Sequence, residues 1–268
     1  MKTWMDRAAA ALRRCALVVA ALIAVACGGG GAGSSAGTGT GRPEGTGPAV
    51  PIATESEPIG PRVDLVAAGY MSMVQGQVWV YAVQDANGMP VGTSTRTLAQ
   101  APAGGVGTLQ FTVVEDGTTT TQTFRAAADG LYASLEGSTV PAGMQAAIGE
   151  IREYAFPSYA AGEARQVVRA GPSGLDLDGD GREDTFRLEF TQTFDGIVPF
   201  PLPWDPGATA ARFSALLSLV IQSSASPGVQ WGAVTRTQNA FAKGIGPVGG
   251  TESIEDLQGN RLEISGSC

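Results

Sequence analysis

Short segments in which apolar and polar residues alternate dominate the chain between residues 63 and 267. In residues 77–83, for example, the alternation places Trp79, Tyr81 and Val83 on one face, as in a half-buried β-strand. Asn-Gly and Asp-Gly dipeptides follow several segments and supply the positive φ that tight hairpins need. The pattern predicts a mainly β fold, an antiparallel curved sheet or half-barrel built as a meander.

Later segments repeat this alternation, and we predict strands in residues 106–115, 118–126, 131–135, 148–156, 164–170, 185–194, 230–237, 251–256 and 261–265. Residues 208–223 are ambiguous. Their Ala, Arg and Leu content permits a helix, whereas Leu219, Val220 and Ile221 favour a buried strand. We predict a helix there that becomes extended near its end.

A proline-rich segment, residues 197–206, is predicted to be a rigid surface loop, because its four prolines cannot donate hydrogen bonds to a helix or a sheet. Phe200, Leu202 and Trp204 lie in this loop and form a candidate contact patch. In the alternative interpretation these side chains fold back onto the body of the domain.

The first 61 residues differ in composition from the rest of the chain. Residues 1–26 have a basic start followed by an apolar run of about a dozen residues, which is typical of a secretory signal peptide and too short to span a bilayer. Residues 27–61 are rich in Gly, Ser, Thr, Ala and Pro, and they can bury too little apolar surface to fold. We therefore predict a flexible tether, followed by a single β-rich domain in residues 62–268.

The end of the signal segment, Ile23-Ala24-Val25-Ala26-Cys27, resembles the lipobox of bacterial lipoproteins. The resemblance implies lipid on Cys27 and a membrane anchor, and Gly28 after the cysteine implies the outer membrane. The alternative is that Ala24-Val25-Ala26 is an ordinary signal-peptidase site. That route releases a soluble periplasmic or secreted protein, in which Cys27 and Cys268 could pair.

The charge balance excludes several functions. Without residues 1–26, Lys+Arg falls from 17 to 13 and Asp+Glu from 25 to 24, which leaves a net charge of −11. Such a surface repels phosphate backbones, so nucleic acid is excluded as the main partner. The chain has no histidine, which removes the commonest general base. Paired carboxylates could still hydrolyse glycosides, but few tryptophans are available to line a sugar groove, and we predict no enzymatic activity.

Residues 176–184, with the sequence DLDGDGRED, carry the strongest chemical signal in the body. Acids at positions 1, 3, 5 and 9 and glycine at position 6 match the ligand spacing of an EF-type calcium loop. The predicted Ca²⁺ ligands are the carboxylates of Asp176, Asp178, Asp180 and Asp184 and the carbonyl of Arg182.

The twelfth position of the acidic loop is Arg187 rather than a bidentate glutamate. The segment is therefore more similar to the D-x-D-x-D-G-x-x-D loops of integrin-type β-propeller repeats than to a true EF-hand. The alternative is a polar hairpin corner, in which the Asp-Gly pairs only make turns.

Three short motifs of the body resemble those of a broad group of proteobacterial lipoproteins: G-x-x-W-x-Y at residues 76–81, Val-Pro-Ala-Gly at 140–143 and aromatic-x-x-G-x-G at 241–246. The resemblance implies a curved antiparallel sheet, similar to the half-barrels of Lol-type lipoprotein carriers, and no known reaction.

Two functions remain open. One is a structural or interaction lipoprotein of the cell envelope with a calcium-stabilised domain, whose partners are the membrane and an envelope protein. The other is a carrier that holds an acyl chain on an open concave face.

Overall fold

The computed structural model describes residues 54–55, 62–71, 74–102, 105–115, 117–135, 140–155 and 158–267. These residues form fifteen strands and one helix, α1 (Ala142–Ile148). The strands are β1 (Thr54–Glu55), β2 (Arg62–Asp64), β3 (Val78–Asp85), β4 (Pro90–Gln100), β5 (Gly107–Glu115), β6 (Thr118–Ala127), β7 (Gly130–Ala133), β8 (Ile151–Ala155), β9 (Ser158–Ala160), β10 (Ala164–Pro172), β11 (Thr185–Pro199), β12 (Thr209–Gln222), β13 (Gln230–Ala242), β14 (Gly246–Asp256) and β15 (Arg261–Ser267).

Thirteen of the described strands form one antiparallel sheet, in the order β1-β10-β11-β12-β13-β14-β15-β3-β4-β5-β6-β7-β8. The remaining strands, β2 and β9, pair with each other. Strands β3 to β8 form one meander and β10 to β15 form another, and β15 joins them by pairing with β3, where Gly266 lies opposite Val83. The sheet curls into a half-barrel, which confirms the predicted fold class.

The alternation in the sequence places one face of each strand inside the curled sheet. In β3, Trp79, Tyr81 and Val83 are buried as predicted, while Val78 and Val80 face outward. Aromatic rings fill much of the inner face: the ring of Phe213 lies 5.0–6.1 Å, between centroids, from the rings of Phe194, Tyr154, Tyr159 and Phe241. Each fully buried aromatic side chain contributes about 1.5–3 kcal/mol from burial alone.

A second part of the core lies under helix α1. Met144 and Ile148 of the helix pack in the same buried cluster as Phe186 and Leu188 of β11. Leu177, from the loop that joins β10 and β11, belongs to this cluster as well. The acidic loop is therefore attached to the core by an apolar side chain.

The predicted helix at residues 208–223 is wrong, because this segment is strand β12. Its buried side chains follow a period of two, from Phe213 through Leu217 to Ile221. The strand pairs along its length with β11 on one side and β13 on the other. Helix propensities differ by only a few tenths of a kcal/mol between ordinary residues, which is less than such pairing and burial supply.

Two predicted boundaries also need correction. Strand β11 continues to Pro199, opposite Thr209, so the loop predicted for residues 197–206 begins only at Phe200. Part of the predicted tether, Thr54–Glu55, forms strand β1 and pairs with β10. The signal segment, Cys27 and Cys268 lie outside the described residues, so their predicted processing remains a prediction.

Candidate functional site: an acidic loop and buried carboxylates

The acidic loop connects β10 to β11, and backbone hydrogen bonds close its base. Ser173 N donates to Asp184 O at 2.8 Å, and Asp184 N donates to Leu175 O at 2.7 Å. Between these bonds the chain turns through Gly179 and Gly181, whose φ values of 77° and 82° favour glycine. The glycine at position 6 of the predicted motif therefore has the expected conformational role.

Three of the predicted ligands converge in this loop. Carboxylate oxygens of Asp176, Asp178 and Asp180 all lie within 4.8 Å of one another. Asp176 accepts hydrogen bonds from Gly179 N at 2.7 Å and from Gly181 N at 3.0 Å. These bonds hold the loop in a tight curl, which turns the alternate side chains toward a common point.

Asp184 lies outside this group, because its carboxylate has another role. Its side chain is 0% exposed and accepts hydrogen bonds from Leu177 N at 2.7 Å and from Ser224 N at 3.0 Å. The structure thus brings together three of the four predicted carboxylate ligands and uses the fourth to fasten the loop. Arg182 donates its backbone N–H to Asp180 at 2.8 Å.

Two serines that the sequence analysis missed complete the surroundings of the loop. Ser223 donates its hydroxyl to Asp178, and Ser224 donates its hydroxyl to Asp180 at 3.0 Å. The hydrogen bond from Ser223 is the main cause that lowers the pKa of Asp178 below its ordinary value. Both serines lie in the loop between β12 and β13, which meets the acidic loop because alternate connections of a meander lie at the same end of the sheet. No local sequence signal marks these serines.

The candidate contact patch is not a single exposed surface. Trp204 is 63% exposed at a turn, where Leu202 and Asp205 form mutual backbone hydrogen bonds of 3.0 and 3.1 Å. Leu202 is buried in a small cluster with alanines of β12 and β13, and Phe200 packs against that cluster. Only Trp204 therefore has the exposure that a contact patch needs.

The inner face of the sheet contains ionisable groups as well as the aromatic core. Glu153 is an extra residue in β8, since Leu131 pairs with Tyr154 and the next residue, Tyr132, pairs with Arg152. Such a β-bulge redirects a side chain, and here it buries the carboxyl group. Neither oxygen of Glu153 has a hydrogen-bond partner among the described residues. Burial raises the pKa of Glu153 well above its ordinary value, and the charge of Arg96 offsets part of the rise.

Comparisons with solved structures give matches at low identity and low TM-score. No protein family and no curated protein matches the chain. One similar solved structure is a predicted lipoprotein from Parabacteroides distasonis ATCC 8503, with 9% identity and a TM-score of 0.36, covering 74% of this chain and 96% of that one. Another is a predicted exported protein with a YmcC-like fold from Bacteroides fragilis NCTC 9343, with 13% identity, a TM-score of 0.34 and the same coverage. At such TM-scores neither similarity assigns a function to this chain.

Among the described residues, no helix is long and apolar enough to cross a bilayer.

Proposed function

We propose that this chain is a non-enzymatic lipoprotein of the cell envelope, and that Ca²⁺ bound by Asp176, Asp178 and Asp180 stabilises its β domain. The observation that carries the calcium proposal is the convergence of these three carboxylates within 4.8 Å. Carboxylate oxygens are the preferred ligands of Ca²⁺, and several of its six to eight coordination positions would remain for water or backbone carbonyls.

The position of the loop explains how the ion would stabilise the domain. Asp178 and Asp180 are hydrogen-bonded to Ser223 and Ser224, so an ion held by these carboxylates would also restrain the loop between β12 and β13. A ligand that binds only the folded state stabilises it by mass action, by about 2.7 kcal/mol at one hundred times the dissociation constant. The proposed role is therefore structural.

The envelope location rests on the sequence at Cys27, where the lipobox resemblance supports lipid attachment and an outer-membrane anchor. The partners in this proposal are the membrane, through the lipid, and a protein or lipid of the envelope. Without lipid on Cys27 the same signal would give a periplasmic or secreted protein. Replacement of Cys27 by Ser should abolish acyl labelling of the protein in cells, whereas replacement of Cys268 by Ser should leave it unchanged.

The carrier alternative has less support from the structure. An acyl carrier needs an apolar concave face that is open to its ligand. Among the described residues, the aromatic side chains on that face are buried against one another, from Trp79 and Phe111 at one side to Phe213 and Phe241 at the other. This part of the inner face is thus occupied by side chains of the domain itself.

The calcium proposal can be tested by thermal unfolding of the purified protein with chelator and with excess Ca²⁺. We expect Ca²⁺ to raise the unfolding temperature of the wild type. The increase should be greatly reduced in Asp176→Asn/Asp178→Asn. Asp205→Asn is a matched control, because Asp205 also accepts a backbone N–H in an exposed turn, from Gly207 at 3.1 Å, but lies outside the acidic loop. An equal rise in the double variant and the wild type would refute calcium binding by this loop.

A further inference from the structure

One edge of strand β6 is open over more than half of its length. On one side, Thr118 to Thr123 pair with residues 110–115 of β5. On the other side, β7 pairs only with the last four residues of β6, Phe124 to Ala127. Within the described part of the chain, no strand continues this second pairing along Thr118 to Thr123. Five of these six residues are threonines, and all five are exposed.

The free backbone groups of this edge belong to alternate residues. Glu115 and Thr118 flank a two-residue turn, so they form a hydrogen-bonded pair, and such pairs alternate with unbonded pairs along antiparallel strands. Thr118 and the even-numbered residues after it therefore bond to β5. The pairing with β7 agrees, because Ala127 and Gly130 flank a second two-residue turn and so place odd-numbered residues on the β7 side. Three residues thus direct their N–H and C=O groups to the open edge: Thr119, Thr121 and Thr123.

Other edges of the sheet carry protective features. Strand β8 has the bulge at Glu153. Strand β10 is paired with β1, and its Arg169 donates to Ile148 O, at the end of α1, at 3.2 Å. Natural proteins use bulges, charges, prolines and covering elements to prevent unwanted strand pairing. The open part of β6 has no proline, no charged residue and no bulge, so it is suited to accept another strand.

The charge distribution indicates that the added strand is a second copy of β6. Without residues 1–26 the chain has a net charge of −11, so two copies repel each other over most of their surface. The hairpin of β5 and β6 is an exception, because residues 107–114 and 118–124 contain no ionisable side chain. Threonine pairs across antiparallel strands are also favourable. Two copies can therefore meet at this hairpin without repulsion.

We propose that two copies of this chain associate by antiparallel pairing of their β6 edges about a twofold axis at Thr121. In this register Thr121 lies opposite Thr121 of the partner subunit, and Thr119 lies opposite Thr123 of the partner subunit. The three odd-numbered threonines of each copy then form about six backbone hydrogen bonds. The interface is small, and the lipid anchor of the proposed function strengthens it by confining the copies to one surface. Only this confinement rests on the proposed function.

Disulfide cross-linking tests the register. In full-length protein purified in detergent, with Cys268→Ser as the parent, Thr121→Cys should form a disulfide-linked dimer on oxidation, because the paired Cα atoms are about 5.5 Å apart. Thr119→Cys is the matched control. Its two copies are offset by four residues, or about 13 Å, which a disulfide cannot span. A mixture of Thr119→Cys and Thr123→Cys should cross-link again.

Thr121→Pro gives a second test that needs no cysteine. The N–H of Thr121 faces the open edge, so proline removes no bond to β5 and suits such an edge position. Sedimentation equilibrium of the full-length protein should show dimerisation weakened about tenfold or more, with the circular dichroism of the wild type.

The β6 dimer is refuted if Thr121→Cys forms no link beyond that of the Cys268→Ser parent, or if Thr119→Cys cross-links equally well. It is also refuted if the wild type is monomeric at every concentration, which would leave the open edge to an extended segment of another protein. Acyl labelling of Cys27 is measured separately, so loss of the lipid anchor and loss of β6 pairing give different results.

Discussion

The acidic loop and the inner face of the sheet treat carboxylates in opposite ways. In the loop, Asp176, Asp178 and Asp180 are held within 4.8 Å of one another, and each accepts hydrogen bonds from backbone amides. On the inner face, burial is the largest influence on Glu153 and Glu252, and it disfavours their ionised forms. The pKa is lowered for Asp178 and raised for both glutamates.

This difference shows that the number of acids in a region does not determine its electrostatics. Backbone N–H groups can neutralise much of the repulsion in a tight acidic turn, and a few serines extend that effect. A single carboxyl group inside a sheet has no such supply of donors, because the strand amides are already bonded to neighbouring strands.

Substitution of Asp184, the one buried carboxylate of the loop, should have the largest effect on the free energy of unfolding. Asp184→Ala would leave the amides of Leu177 and Ser224 without their acceptor. Since hydrogen bonds to charged groups are worth about 1.5–3 kcal/mol each, we expect the free energy of unfolding to fall by about 4 kcal/mol. Urea denaturation of the variant and the wild type would measure this fall in the free energy of unfolding.

Asp180→Ala is the control for Asp184→Ala, because Asp180 is exposed and its bonds can be replaced by water. Its effect on the free energy of unfolding should be clearly smaller. Equal losses for Asp180→Ala and Asp184→Ala would show that burial does not distinguish the two carboxylates.

Replacement of Glu153 should have an intermediate effect on the free energy of unfolding, and this effect should depend on pH. Its folded-state pKa is raised, so the folded protein binds this proton more tightly than the unfolded chain, and stability is lost as pH rises above the ordinary value of 4.5. Glu153→Gln removes the titrating group. The free energy of unfolding of the variant, relative to the wild type, should therefore increase with pH above about pH 5, by at most roughly 1.4 kcal/mol per pH unit, and the increase should end where the pH reaches the folded-state pKa of Glu153.

Denaturation series between pH 5 and pH 8 would measure the effect of Glu153→Gln. Glu150 offers a contrast of opposite sign, because its hydrogen bonds with Arg125 lower its pKa, and its contribution is lost as pH falls. A difference between Glu153→Gln and wild type that stays constant with pH would mean that Glu153 is ionised in the folded protein, with the charge of Arg96 compensating for burial.

Much of the sheet could be predicted from the sequence, because alternation with a period of two and Asp-Gly or Asn-Gly turns act locally. Strand β3 and the acidic loop were both recognised in this way. Strand β12 was not, since alanine and leucine suit either structure and the decision comes from pairing with β11 and β13. Helix α1 was missed for a related reason: it is short, and its stability comes from packing Met144 and Ile148 on the sheet.

The candidate sites also divide into features that a local sequence pattern predicts and features that only the fold creates. The spacing of Asp176, Asp178 and Asp180 lies within one short segment, so it is visible without a structure. The roles of Ser223 and Ser224, in contrast, depend on two separate connections that meet at one end of the sheet. Register and curvature create these contacts, and no local pattern encodes them.

The smallest effect should come from Ser223, which links the acidic loop to the β12–β13 connection. Its hydroxyl donates to Asp178 and accepts from Ser226 N at 2.8 Å. In the absence of calcium, Ser223→Ala should lower the free energy of unfolding by about 1 kcal/mol, the usual net value of a hydrogen bond. Because this hydrogen bond favours the ionised carboxylate, the loss should shrink as pH falls below the ordinary pKa of 3.8, where Asp178 becomes protonated.

Ser226→Ala, at an exposed position of the same connection, should be nearly neutral at every pH. A loss in Ser223→Ala that is independent of pH would show that the serine only shapes its own turn and does not act on the acidic loop.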